Sequence, residues 1–162
     1  MGVLYDYFRA PNTEAVAELM AAAGGGPLAG AGDSRLADAV DAVDAKGIDP
    51  SVILGQLVSY ALDVPWDTRL VGDRLVWPDG AGRDPGYEGP WVVVLGDSAR
   101  DALAGIPDER MSALADRWLR VEELSDFGDP QPAAMLVLLS DLVGLARRAR
   151  GNGDHLYCWM CL

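Results

Sequence analysis

The sequence predicts an α+β fold: a single domain with a small mixed or antiparallel sheet that includes the N- and C-terminal strands, packed by about five to six helices. Three observations carry this. The chain opens on the β-forming run Gly2–Arg9 and closes on the apolar run Leu156–Leu162. Between them, several segments repeat apolar residues at helical spacing, each bounded by Gly, Pro or a capping residue. One further run, Trp91–Leu95, is almost continuously apolar and reads as a buried strand. The 162 residues suit one domain and bury enough surface to need no staples.

In the first strand Val3, Leu4, Tyr5, Tyr7 and Phe8 favour extended backbone. Pro11–Thr13 then turns the chain and caps a helix whose Val16, Leu19, Met20 and Ala23 face inward. Gly24–Gly32 is expected to be a flexible loop. Asp33 or Ser34 is expected to cap a second helix, with Leu36, Val40 and Val43 on its apolar stripe and Gly47 as its stop. Asp49–Pro50 starts a third helix, Asp as N-cap and Pro at the first position, that runs to Pro65. Leu70–Trp77 is expected to form a small hairpin about Gly72–Asp73, and Pro78–Pro90 a loop. After the strand Trp91–Leu95, Asp97 or Ser98 caps a short helix that ends near Gly105. Pro107–Asp108 opens another, with Met111, Leu114, Ala115, Trp118 and Val121 inward. Asp126–Pro132 is loop, and Pro132 begins the longest helix, which reaches Arg150. Arg147, Arg148 and Arg150 complement the dipole at its end.

The formal net charge is −12. A strongly acidic chain is a poor ligand for nucleic acid phosphates and for anionic membrane surfaces, so neither is expected as a partner. No apolar stretch is long enough for a bilayer and no signal peptide precedes the first strand, so a cytoplasmic location with reduced thiols is expected. An acidic exterior suits a basic partner protein.

The order of motifs resembles the YfbM-like family of uncharacterised bacterial proteins. The features are the start Met1-Gly2-Val3-Leu4, the aromatic pair Tyr7-Phe8, the capped helix Pro11–Met20, the turn Gly47-Ile48-Asp49, the strand Trp91–Leu95 with two short helices to Leu124, and Leu142–Arg150 followed by Gly153-Asp154-His155. Where that family shows Lys, Trp and His after the Ile-Asp turn, this chain has Pro50, Val52 and Gln56. The resemblance implies an α+β fold and no particular reaction.

Few residues carry a chemical signature. His155-x-x-Cys158-x-x-Cys161 has the residue types and gaps of a tetrahedral zinc site. In a strand, however, a gap of three reverses the face, which separates His155 from Cys158 and Cys158 from Cys161. The reading adopted is two buried thiols that behave as apolar groups, with no metal and no cofactor. A redox pair is disfavoured because the preceding helix presents its C-terminal end, which opposes thiolate formation. A Cys–His nucleophile pairing is disfavoured too, because Cys158 faces away from His155 and Cys161, on the same face, stands too far along the strand for a hydrogen bond, and no GxSxG elbow or Walker loop occurs. Gly24–Gly26 lacks the lysine of a phosphate loop. Glu122 and Glu123 are adjacent carboxylates without the marks of an acid–base pair.

Asp38, Asp41 and Asp44 fall at i, i+3 and i+6 of the expected second helix and form an acidic edge, a docking surface for a basic protein. Trp66 and Trp77 lie beside prolines and are candidates for an interface or pocket. The functional expectation is a non-catalytic acidic binding module acting on a protein partner, immunity-like in type. The alternatives are a small-molecule site or enzyme between the Pro78–Pro90 loop and Trp66, and a C-terminal His/Cys metal or redox site.

Overall fold

A computed structural model describes residues 2–29, 36, 39–128 and 130–162, without the side chains of residues 126 and 127. The fold is α+β, with one five-stranded antiparallel sheet. Its strands are β1 (Leu4–Ala10), β2 (Ala42–Asp44), β3 (Arg74–Trp77), β4 (Trp91–Val94) and β5 (His155–Cys161), in the order β2-β1-β5-β4-β3. Among the described residues five α-helices pack on it: α1 (Thr13–Ala22), α2 (Gly55–Leu62), α3 (Asp97–Ala104), α4 (Asp108–Trp118) and α5 (Pro132–Asn152).

The two ends of the chain form the centre of the sheet. β1 and β5 pair along their whole lengths, from Leu4 opposite Cys161 to Ala10 opposite His155. Both faces of this pair are covered, which is why the strands carry few polar residues. On one face Tyr7, Val93, Leu95, Leu156 and Cys158 meet Leu57 and Val58 of α2, Leu103 of α3, Trp118 of α4, and Leu139, Val143 and Ala146 of α5. On the other, Phe8, Val92, Tyr157 and Trp159 meet Val16 and Met20 of α1 and the loop residue Leu28. Phe8 and Tyr157 stack at 5.5 Å between centroids. Each such buried side chain stabilises the fold by about 1.5–3 kcal/mol before conformational entropy is counted.

Asp49 caps the chain ahead of α2 as its sequence suggests, its carboxylate accepting from the amides of Val52 and Ile53 at 2.8 and 3.0 Å. The first turn, Pro50–Leu54, is π-helical. Two indoles satisfy carbonyls of this widened turn: Trp118 Nε1 donates to Ile53 at 2.8 Å and Trp66 Nε1 to Ser51 at 3.1 Å. Gly55 is needed here, because a Cβ at that position would lie 2.9 Å from the Trp66 ring nitrogen.

Two expected elements are replaced. Ala42–Asp44, expected within the second helix, is the strand β2 and pairs with β1, Phe8 opposite Ala42 and Asp6 opposite Asp44. The open edge of β1 offers backbone partners that a helical stripe ending at Val43 cannot match. Gly47 has the positive φ of 81° expected of a stop, but it serves the turn after this strand, not a helix end. The expected caps Asp33 and Ser34 lie outside the described residues; the Val40 amide bonds the Leu36 carbonyl.

The Leu70–Trp77 hairpin does not form either. Only Arg74–Trp77 is extended, and it pairs with β4, Arg74 opposite Val94. Val71 is fully buried in the helical core, so residues before Gly72 turn inward and do not run back along β3. The Gly-rich stretch is held where it is described. Asp6 accepts from the amides of Leu28 and Ala29 at 2.8 and 2.9 Å, and Trp159 Nε1 donates to the Gly25 carbonyl at 3.0 Å.

Replacing Trp118 by Phe keeps the ring and strands the buried Ile53 carbonyl. The expected cost is about 1–3 kcal/mol, read as a lower urea midpoint with an unchanged slope. A variant as stable as the parent would contradict the role assigned to the indole.

Candidate functional site

β5 separates the C-terminal ligand candidates as strand geometry requires. His155 and Cys161 share a face but stand roughly 20 Å apart along the strand. Cys158 points to the opposite face and is fully buried, packed in the helical core with Tyr7. Burial pushes its thiol well above the ordinary range, while a contact with Tyr7 opposes the shift. Cys161 is half-buried, so only one of the two thiols is fully enclosed. Among the described residues no group of three or more His, Cys, Asp or Glu side chains is placed to hold a metal ion.

The expected acidic edge is not a helical row. Asp38 lies outside the described residues, and Asp44 is an exposed residue of β2 whose carboxylate accepts from the Lys46 amide. Asp41 is engaged inside the molecule. It receives Arg148 through two bonds, at 2.7 and 2.9 Å, and Arg9 through one at 2.7 Å. Arg9 also binds Asp154 at 2.7 Å, tying β1, the approach to β2, the end of α5 and the start of β5 together. The Arg148 bonds hold the Asp41 carboxyl below its usual range; burial opposes this and Arg9 adds to it.

The two tryptophans go to different places. Trp66 is 40% exposed and lies over the π turn. Trp77 is half-buried and packs with the second core cluster. A shallow depression of about 200 Å³ lies between Leu75–Pro78 and Asp79–Arg83, and Trp66 does not line it. Glu123 accepts from Gln56 at 3.0 Å, which links α2 to the segment after α4.

A different constellation is assembled at the end of the sheet. A cleft of about 390 Å³ opens where β4 passes into α3 and β5 begins. Its floor is the rung Arg74–Val94–Tyr157, aligned by strand register. One wall is the first turn of α1, with Asn12, Thr13 and Glu14; the other is Leu95–Asp97 beside Gly72. His155 stands at the rim, its Nδ1 2.7 Å from Asp97 Oδ1. Since a carboxylate can only accept, Nδ1 carries the proton and Nε2 keeps its lone pair in the neutral ring. Arg100 Nη1 approaches the same Asp97 oxygen, at 3.3 Å, and Arg100 also bonds Asp101 and the Asp154 carbonyl.

The sequence offers Asp97 or Ser98 as the cap of α3. The N-cap is Gly96, and Asp97, in the first helical turn, directs its carboxylate to His155 and Arg100 instead. The pair can orient an imidazole. Among the described residues no hydroxyl or thiol hydrogen-bonds His155. A larger open depression of about 730 Å³ is lined by Leu119–Glu122, Ser125, Gly128 and Pro130, and among the described residues its lining holds no ion pair.

No family model, curated protein or solved structure matches the chain.

Two outcomes follow from this geometry. A thiol reagent at neutral pH should label Cys161 quickly and Cys158 only as fast as the core opens; Cys161→Ser should remove the fast phase, and a persistent fast phase would place Cys158 at the surface. Asp41, with its pKa held down in the folded state, stabilises the protein above the ordinary carboxylate range and loses that contribution as acid protonates it. Asp41→Asn should cost about 1–3 kcal/mol at neutral pH, and the gap to the parent should close on acidification. A gap independent of pH would contradict the ion-pair assignment.

Proposed function

We propose that this protein is a non-catalytic binding module whose acidic exterior engages a basic partner protein, in the manner of an immunity protein that neutralises a basic toxin. The observation that carries the reading is an unequal use of charge. Arg9, Arg100, Arg147 and Arg148 each bind a carboxylate of their own chain. Arg147 also donates to the Ala104 and Ile106 carbonyls, and Arg110 to those of Tyr60 and Ala61. Arg117 lies over the Tyr60 ring at 3.9 Å.

Many carboxylates have no such use. Glu18, Asp79, Glu88, Glu109 and Asp116 are exposed and form no ion pair among the described residues. Among the described residues the exposed arginines left over are Arg74, Arg83, Arg120 and Arg150, and the whole chain carries 25 Asp and Glu against 13 Lys and Arg, a net charge of −12. A surface field of one sign accelerates encounter with a partner of the other and sets its orientation. Glu109 and Asp116 lie seven residues apart on α4, hence on one outward face.

The YfbM-like resemblance belongs to the same proposal and rests on the order of its motifs. So does a cytoplasmic setting. Among the described residues no helix is long and apolar enough to cross a membrane.

Cross-linking followed by mass spectrometry in the native host tests the reading. It should recover one basic protein, and recovery should fall roughly ten-fold between about 50 and 300 mM salt. The charge reversals Glu109→Lys and Asp116→Lys together should reduce it further with no loss of stability. Partners that are acidic, or whose recovery ignores both salt and the reversals, would reject the proposal.

A further inference from the structure

We infer that the cleft at the end of the sheet is a binding site for a small ligand carrying an oxyanion, a carboxylate or a phosphate group, held between the Arg74 guanidinium and the His155 imidazole. The site is separate from the acidic docking surface and does not rest on it.

The first support is that the Arg74 guanidinium is tied to no group among the described residues. It is exposed and makes no hydrogen bond or ion pair among the described residues, whereas Arg9, Arg100, Arg147 and Arg148 are all tied to carboxylates. Its place opposite Val94 in the register sets it on the cleft floor, near enough to Tyr157 for its charge to act on the phenol. A guanidinium offers a planar fork of donors that matches a carboxylate or phosphate edge.

The second support is the state of His155. Nδ1 is occupied by Asp97 at 2.7 Å, which leaves Nε2 without a protein partner among the described residues. An anion in the cleft would favour the imidazolium, and Nε2–H would then donate to it. Asp97 does not repel such a ligand at full strength, because His155 and Arg100 flank it at 2.7 and 3.3 Å.

The third support is that the floor is built, not accidental. Tyr157 is only 1% exposed yet lines the cleft. The volume of about 390 Å³ admits a metabolite-sized molecule. Glu14 is the one carboxylate at the lining without an ion pair among the described residues, and it opposes a second negative charge on the ligand.

The chain has a single histidine, so its imidazole resonances report on this cleft without ambiguity. The test follows them by NMR while inorganic phosphate, or separately acetate, is added to the full-length protein, with sodium chloride as the control at matched ionic strength. A saturable shift in at least one titration is expected. Saturation by phosphate alone identifies a phosphate site, and by acetate alone a carboxylate site. Arg74→Gln should weaken the response roughly ten-fold and Glu14→Gln should strengthen it several-fold. Both residues are exposed, and unchanged thermal unfolding would show that the variants fold. A response no larger than that to chloride, or one that survives Arg74→Gln undiminished, overturns the inference.

Discussion

The structure depends on the antiparallel pairing of its two chain ends. Seven residue pairs join β1 to β5 at the middle of the sheet. That contact has close to the greatest sequence separation the chain allows, so its closure entropy is high and local signals cannot supply it. It is favoured because it gives both strands two buried faces at once. Tyr7 and Cys158 enter the helical core from one side, while Phe8 and Tyr157 stack beneath α1 on the other. β2 and β4 then extend the sheet from the outer edges of this pair.

Arginine closes what the sheet leaves open. Arg9 and Arg148 converge on Asp41, and Arg9 reaches Asp154 at the turn into β5. Arg147 donates to the carbonyls that end α3 and lead into α4. These bonds cross between elements distant in sequence and lie partly shielded from solvent, where charge-assisted hydrogen bonds are stronger than surface ion pairs. One consequence is electrostatic. Each tied cation takes a carboxylate with it, so the net charge of −12 stays on the acidic groups that form no such tie.

The cleft is a product of the same central pairing. With β5 fixed beside β1, His155 emerges at the sheet end level with Ala10, just before the turn into α1. With β4 on its other side, the chain leaving Val94 must turn into α3 there, and Asp97 comes within 2.7 Å of the imidazole. The pair that defines the site joins residues 58 apart. Each is held by a different element, His155 by the start of β5 and Asp97 by the first turn of α3.

The sequence by itself determined the elements whose signals are local. The β-formers of the first strand, the Asn12 and Asp49 caps, the apolar run of β4 and the Pro132 start of α5 all lie where composition and periodicity place them. Strand alternation also foretold that Cys158 and Cys161 face apart. Tertiary structure alone decided the rest, because it depends on edges and partners. Ala42–Asp44 has a pattern that serves a helix or a strand, and the open edge of β1 chose between them. Asp97 reads as a cap until β5 brings His155 beside it, and His155 reads as part of a cysteine motif until strand geometry carries the cysteines away. Local preference is set by a few neighbouring residues, whereas pairing across the sheet is set by which backbone edge and which buried face remain to be satisfied.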